Sequence, residues 1–279
     1  MIYIVTPVFN RKKFTKKYLE ALGKQTVKDF KVIIVDDGST DGTSKMIESE
    51  FPDVVLLEEE GNLWWAEATN IGVRYAMERN ATYVMTLNDD TLPEFDYIEK
   101  MIFWSKKEPE ALLGALAIDV NTGKEIFGGQ MRNWKNGKDI NILDSLNEEE
   151  IHGLHKVNFF PGRGLLIPIK VFKEVGLYDS KHFPQTVSDL DFTFRSSNAG
   201  FEIYCNYDSK IKIYPDESAT IKLRNNKSFK KYIEHLFGRR GGGNLKFFTI
   251  FVFKNAPKRY LIPFLINGLA RRILGYWIK

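Results

Sequence analysis

The chain is poor in the residues that sulfur and zinc chemistry need. Its 279 residues include one cysteine, Cys205, and four histidines. A single cysteine excludes an intrachain disulfide and any cysteine-built metal site. His152, His155 and His182 stand among polar residues with no cysteine or carboxylate at zinc-ligand spacing, which predicts surface positions. Cys205 lies in an apolar strand-like run and reads as a buried, inert thiol. Long apolar runs are also missing. The best, Phe247–Phe253 and Tyr260–Ile266, fall short of the roughly 18–20 residues that span a bilayer. The N-terminus has no basic leader region, and Thr6, Pro7 and Asn10 break its apolar stretch, so a secretory leader is not expected. The expected location is cytoplasmic.

Acid is scarce at one end. Residues 226–279 carry twelve Lys or Arg and one acid, Glu234, a net of +11. Residues 1–225 carry −7, which the overall +4 conceals. The chain is an acidic body with a basic tail. With 43% hydrophobic and 14% aromatic residues, the body can bury a sizeable core.

Periodicity predicts an α/β layer architecture. Ile2–Val5 and Lys31–Val35 read as buried strands of a parallel sheet closed by turn residues, and Val54–Leu57 and Tyr83–Leu87 as the third and fourth strands. Helical spacing over Lys13–Lys24, Thr43–Glu50 and Ala66–Asn80 alternates with them. After Trp104 the pattern changes. Leu112–Val120 reads as a strand, and Asn121-Thr122-Gly123 and Asn136-Gly137 as hairpin turns. Asn141–Glu150 is polar and is expected to be a mobile loop. Gly164–Ile169 is a further strand, Leu190–Ala199 a helix, and Glu202–Asn206 and Lys210–Tyr214 two late strands.

Three acidic clusters follow these signals: Asp36/Asp37, Asp89/Asp90 and Asp189/Asp191. Ligands of open α/β sheets bind at the carboxyl ends of strands, where the first two clusters are expected. Adjacent carboxylates repel unless a cation or donor uses them. Hard divalent ions take oxygen ligands and bridge substrate phosphates. Asp89-Asp90 is therefore a candidate site for Mn²⁺ or Mg²⁺, the plainer alternative being turn chemistry.

The blocks that carry these clusters are Val5-Thr6-Pro7-Val8-Phe9-Asn10, Gln25-Thr26, Asp36-Asp37-Gly38-Ser39-Thr40-Asp41-Gly42, Leu87-Asn88-Asp89-Asp90-Thr91 and Ser188-Asp189-Leu190-Asp191. Together they resemble the inverting glycosyltransferases of family 2, rhamnosyltransferase-like and of GT-A fold. The resemblance covers about residues 1–225, leaving 226–279 as a basic amphipathic helical tail. It implies a mixed, mostly parallel sheet flanked by helices, with a C-terminal basic helical extension. It implies a nucleotide-sugar donor, a UDP-sugar or dTDP-rhamnose, held by Thr6, Pro7, Asn10, Asp36, Asp37 and Asp89. Asp90 would hold the ion. Relatives carry a late His as a further metal ligand; here Asp216 stands in that region and is the candidate substitute. Asp189 matches the general base and is favoured over Asp191, which opens the helix and supports the site. The departure is Ser188, where many relatives have an acid. Ser188 and the missing His keep a catalytically inactive sugar-nucleotide-binding protein as the alternative. A nucleotidyltransferase is a weaker one, since the Gly-rich basic loop is absent.

The physics suits hexosyl transfer by direct displacement. A divalent cation neutralises charge on a departing diphosphate. A weakly nucleophilic hydroxyl needs a base. No covalent intermediate is required, so the lack of a Ser-His-Asp arrangement is no obstacle.

Other segments are more open. Two adjacent Trp cannot face one side of an element. Asn62 and Trp65 read as donor-pocket residues, with Asn70 on the following helix; the alternative is one Trp in the core and one over the sheet edge. Gly162 and Arg163 resemble an acceptor-side loop, against a plain turn with a solvated Arg. In the tail, Phe229, Tyr232, Ile233, Leu236 and Phe237 recur at helical spacing among Lys227, Lys230 and Lys231. Such interleaving suits a helix in a membrane interface, hence a peripheral protein at the inner face of the cell membrane acting on a glycan or lipid-linked acceptor. Packing on the body or in a homo-oligomer is the alternative. Nucleic acid is not expected as a partner, because the aromatics are too many for a phosphate-binding arm.

Overall fold

The computed structural model describes residues 1–215 and 227–278. Asp216 lies outside the described residues. The strands are β1 (Ile2–Val8), β2 (Phe30–Asp36), β3 (Val55–Glu58), β4 (Tyr83–Thr86), β5 (Thr91–Pro93), β6 (Leu112–Asp119), β7 (Glu125–Phe127), β8 (Gln130–Asn133), β9 (Lys138–Asn141), β10 (Leu154–Val157), β11 (Leu165–Pro168) and β12 (Ile203–Ile213). The helices are α1 (Lys12–Gly23), α2 (Thr43–Glu50), α3 (Trp64–Glu78), α4 (Tyr97–Lys107), α5 (Ile169–Val175), α6 (Ser188–Asn198), α7 (Phe229–Phe237), α8 (Leu245–Asn255) and α9 (Leu261–Ile278).

One mixed sheet runs in the order β10-β12-β6-β11-β4-β1-β2-β3, with β5 on β12 and β7 on β6. β3, β2, β1 and β4 are parallel, β11 is antiparallel to β4 and β6, and β12 runs parallel to β6. Side chains alternate across it, as a period of two requires. Tyr3, Val5, Ile33 and Val35 enter one apolar cluster; Ile2, Ile4, Val32 and Ile34 enter the other. α3, α5 and α6 cover the first face, and α1, α2 and α4 the second.

The structure departs from expectation where local signals compete with pairing. β1 does not stop at Thr6-Pro7 but continues to Val8 against β2. Pro7 is tolerated because β4 pairs only with Ile2–Val5, so no neighbour needs the missing N–H. The two late strands are one, β12, whose register against β6 shifts between Asn206 and Lys210. The bulge holds itself: Asn206 bonds Ser209 Oγ at 3.1 Å and accepts from Asp208 N at 3.1 Å. The segment 141–150 is ordered rather than mobile. Ile142, Leu143 and Leu146 pack on the core, and Asn147 and Glu150 form a capping box over a short 3₁₀ turn.

The tail folds back onto the body. Phe247, Phe248, Phe251 and Val252 of α8 join Phe159, Phe183 and Phe194 in a third apolar cluster. α9 lies across α8 at Gly268, where a Cβ would meet the Phe248 ring at 2.0 Å. The bare backbone is what lets the two helices approach. Among the described residues no helix is long and apolar enough to cross a membrane.

Candidate active site

The Asp36–Gly42 loop is built from its own carboxylates. Asp36 is buried, accepts from Ser39 N at 2.9 Å and is also bonded by Ser44 Oγ. Asp37 accepts from Leu63 N at 2.9 Å and Trp64 N at 3.0 Å, so it caps the start of α3. Asn10, with φ 53°, accepts from Thr40 N at 2.7 Å and ties this loop to the end of β1. Thr6 is fully buried, its hydroxyl paired with Tyr18 at 2.7 Å. Pro7, above it, is half-buried.

Asp89 and Asp90 follow β4, at the carboxyl end of the central strands. Arg11, at the entry to α1, spans both: Nε lies 3.0 Å from Asp89 and Nη2 3.3 Å from Asp90. Thr15 adds a bond to Asp89 at 3.2 Å. Burial pushes Asp89 up to about 7; Arg11 opposes that rise and Asp90 adds to it. Among the described residues, Asp90 is touched on one oxygen only, and no group of three or more His, Cys, Asp or Glu is placed to hold a metal. This donor set does not suit a closed protein cage. It fits Mg²⁺ or Mn²⁺ bound through one or two carboxylates and completed by substrate phosphates.

Beside the acidic pair, Trp65, Gly162 and Asp189 pack together. A Cβ on Gly162 would meet the Trp65 ring at 2.5 Å and Asp189 Cβ at 3.3 Å. Trp65 Nε1 bonds Asn88 Oδ1 at 2.9 Å, beside the acidic pair. Asp189 accepts from Gly162 N at 3.1 Å and Leu190 N at 2.9 Å. Burial raises Asp189 above its ordinary value, against the pull of those amides and of Arg163. Arg163 is held below its usual value by burial, while Asp90 and Asp189 both stabilise its charge. It therefore lies within electrostatic reach of both acids.

The chain that carries these acids has known counterparts in sequence and fold. The model described as Glycosyl transferase family 2 matches residues 3–163. The chain belongs to glycosyltransferase family 2. It is 25% identical over 210 residues to the dTDP-rhamnosyl transferase RfbF of Shigella flexneri, covering 75% of this chain and 68% of RfbF. It is 29% identical over 102 residues to the glycosyltransferase GlyA of Streptococcus pneumoniae, covering 36% of this chain but 14% of GlyA. An uncharacterized glycosyltransferase of Rickettsia bellii is matched over 27% of its length. The chain thus spans about a quarter or less of those two longer relatives. In fold it is similar to residues 1–349 of S. aureus TarS, with a TM-score of 0.62 at 13% identity, covering 99% of this chain and 91% of that one. A TarS structure in complex with UDP-GlcNAc gives 0.60 at 15% identity. This is the GT-A fold.

Within this family member, the two carboxylates of α6 live differently. α6 begins at Ser188, so Asp189 and Asp191 both lie in its first turn. Val187 ahead of it has φ 74°, a conformation that costs a β-branched residue about 1–2 kcal/mol and clusters at functional sites. Asp191 is fully buried and consumed. It bonds Arg195 Nε at 2.8 Å, Lys254 Nζ at 3.1 Å and Asn255 Nδ2 at 2.9 Å. Asp189 is half-buried, with only backbone amides as bonded partners among the described residues.

Asn70 lies behind the cleft. It is buried, and its amide grips the Tyr178 backbone at 2.9 and 3.0 Å, under the Trp65–Tyr178 ring pair. Asn62 is exposed at a second cleft of about 690 Å³, lined also by Trp64, Arg239 and Lys246. Arg239 and Arg240 sit 5.2 and 5.5 Å from the Trp64 ring, bringing the tail to the mouth of α3. Sequence reasoning missed Arg11, Asn88, Lys254 and Asn255. Asn88 stood inside the quoted motif. Lys254 and Asn255 were masked by the general basicity of the tail, and a single Arg before a helix carries no signal.

Proposed function

We propose that the chain is a metal-assisted, inverting hexosyltransferase. It moves a sugar from a nucleoside-diphosphate donor to a hydroxyl of a glycan or lipid-linked acceptor. The observation that carries this reading is the division between Asp189, half-buried and bonded only by backbone amides among the described residues, and Asp191, locked in an ion cluster. Asp189 takes the acceptor proton. The freed oxygen attacks the anomeric carbon as the bond to the diphosphate oxygen breaks, and the nucleoside diphosphate leaves from the opposite face. The amides of Gly162 and Leu190 orient the base, and Trp65, packed on Gly162, walls the sugar. Arg163, between Asp90 and Asp189, meets the diphosphate. A divalent cation, when bound, would be held by Asp90, with Asp216 as the expected further ligand, and would supply charge neutralisation to the leaving group. The dTDP-rhamnosyl transferase RfbF and the complex of TarS with UDP-GlcNAc make UDP-sugars and dTDP-rhamnose the donors to try.

The test is product identity. Full-length protein is incubated with Mn²⁺ and a panel of sugar nucleotides, and the released phosphates are separated. Nucleoside diphosphate is expected. Pyrophosphate would make it a nucleotidyltransferase. Nucleotide binding without any release would make it an inactive binder.

The tail supports a peripheral place at an anionic membrane. Phe229, Phe237, Ile262, Ile266 and Trp277 are exposed on α7 and α9, among Lys and Arg. Each basic residue near such a surface adds about 1 kcal/mol. Sedimentation with phosphatidylglycerol vesicles at low salt is expected to carry the protein down. Protein that stays in solution and instead forms dimers would assign the same face to a second copy.

A further inference from the structure

A cavity of about 910 Å³ lies between the β8–β9 hairpin, the first turn of α6 and helices α8 and α9. Val187 and Leu190 line it, so it backs directly onto the turn that carries Asp189. Its charged lining is lopsided. Arg132, Lys135, Lys138, Arg271 and Arg272 face a single acid, Asp139. Asp139 is already held by Arg132 in a two-pronged pair, both bonds at 2.7 Å.

The other two guanidinium groups have only carbonyl and ring partners among the described residues. Arg271 donates to Gly137 O at 2.7 Å and Asn136 O at 3.0 Å. Arg272 donates to Gly268 O at 3.2 Å and lies 3.5 Å over the Phe248 ring. Its Nε is buried with no hydrogen-bond partner. Burial, with Arg132 and Arg271 close by, pulls Arg272 down to about 10, against the opposing charge of Asp139. A buried guanidinium with an unpartnered N–H is costly unless an anion joins it, and Arg271, Lys135 and Lys138 stand exposed around it. Planar guanidinium groups are best matched to phosphate oxygens.

Asn136, His235 and Asn267 also line the wall, and its apolar part is Phe248, Phe251 and Phe264 inside, then Leu274 and Ile278, which are 60% and 81% exposed and carry the surface outward. We propose that this cavity is the acceptor subsite for an amphiphilic phosphate ester. The phosphate would lie on Arg271 and Arg272, and the aliphatic chain would leave along Leu274 and Ile278. The inference rests on the transferase reading above, since it assigns the ligand as acceptor. It sharpens that reading by naming the acceptor class.

The test is calorimetric titration of the full chain with decyl phosphate, inorganic phosphate and decyl glucoside. Decyl phosphate is expected to bind at least about ten-fold more tightly than either, because only it uses both parts of the wall. Arg272→Gln is expected to lower that affinity about ten-fold, with Arg272→Lys in between. Lys135→Gln and Lys138→Gln, at exposed hairpin positions, should each lower it by a smaller factor and guard against a folding failure of the arginine variants. Equal binding of inorganic and decyl phosphate would overturn the amphiphile, as would decyl glucoside matching decyl phosphate. Variants that all bind like wild type would overturn the site. Decyl phosphate binding without nucleoside diphosphate release from any donor sinks the transferase reading and the acceptor role with it, and leaves the cavity as a phosphate-ester site. Release without decyl phosphate binding sinks the cavity alone.

Discussion

The donor cleft and the C-terminal tail carry opposite charge and settle it differently. In the cleft, acids compensate locally: Asp36, Asp37 and Asp189 accept backbone amides, and Arg11 spans Asp89 and Asp90. In the tail, cations outnumber acids and are left facing a cavity and the surface. The two regions meet at Asp191, where Lys254 and Asn255 reach from α8 into the helix that bears the base. A tail that looks like an appendage by charge is part of the catalytic domain by packing.

Removing residues 226–279 breaks that comparison most severely. Phe247, Phe248, Phe251 and Val252 leave the third cluster. At about 1.5–3 kcal/mol each, their loss rivals the whole stability of a domain. The truncated chain is expected to be insoluble or to melt without a cooperative transition in calorimetry. A clean two-state melt would return the tail to the status of an appendage.

Asp191→Ala leaves the Arg195 and Lys254 charges facing an empty buried site, a loss of about 3–5 kcal/mol. A fall of roughly 10 °C in Tm is expected from the usual size scaling. Gly162→Ala pushes a methyl into the Trp65 ring, at about 1–3 kcal/mol of overpacking. Donor KM should rise and Trp fluorescence shift; an unchanged KM would detach Trp65 from the donor.

The smallest effect is one of pH. Burial alone would raise Asp179, but bonds from Lys254 and His182 outweigh it and hold it near about 2. A carboxylate depressed in the folded state stabilises above its unfolded value of 3.8 and loses that contribution as pH falls toward 2. The bonds from Lys254 and His182 together thus add about 2 kcal/mol above pH 4, and the tail contact supplies part of it. Urea midpoints measured between pH 5 and 2 should fall, and less steeply in Asp179→Asn.

Sequence showed the cleft far better than the tail. Strand–helix alternation and the Asp36–Gly42 run placed β1 to β4 and their acids, because buried strands and turn carboxylates leave local signatures. β12 was split in two because a bulge imitates a turn. The segment 141–150 was expected to be loose because three apolar side chains among polar ones give no period. The tail's charge pointed outward to a membrane, but nothing local could reveal that α8 docks against Phe159, Phe183 and Phe194.

The central claim is that Asp189 acts and Asp191 supports. Turnover of the preferred donor by wild type and Asp189→Asn, followed as kcat/KM against pH, tests it directly. The account predicts that donor affinity survives while kcat falls about 10²–10⁴-fold. The wild-type acid limb should lie above the ordinary carboxylate value, since burial raises Asp189 and the base works only when deprotonated. An Asp189→Asn variant that turns over like wild type would contradict it.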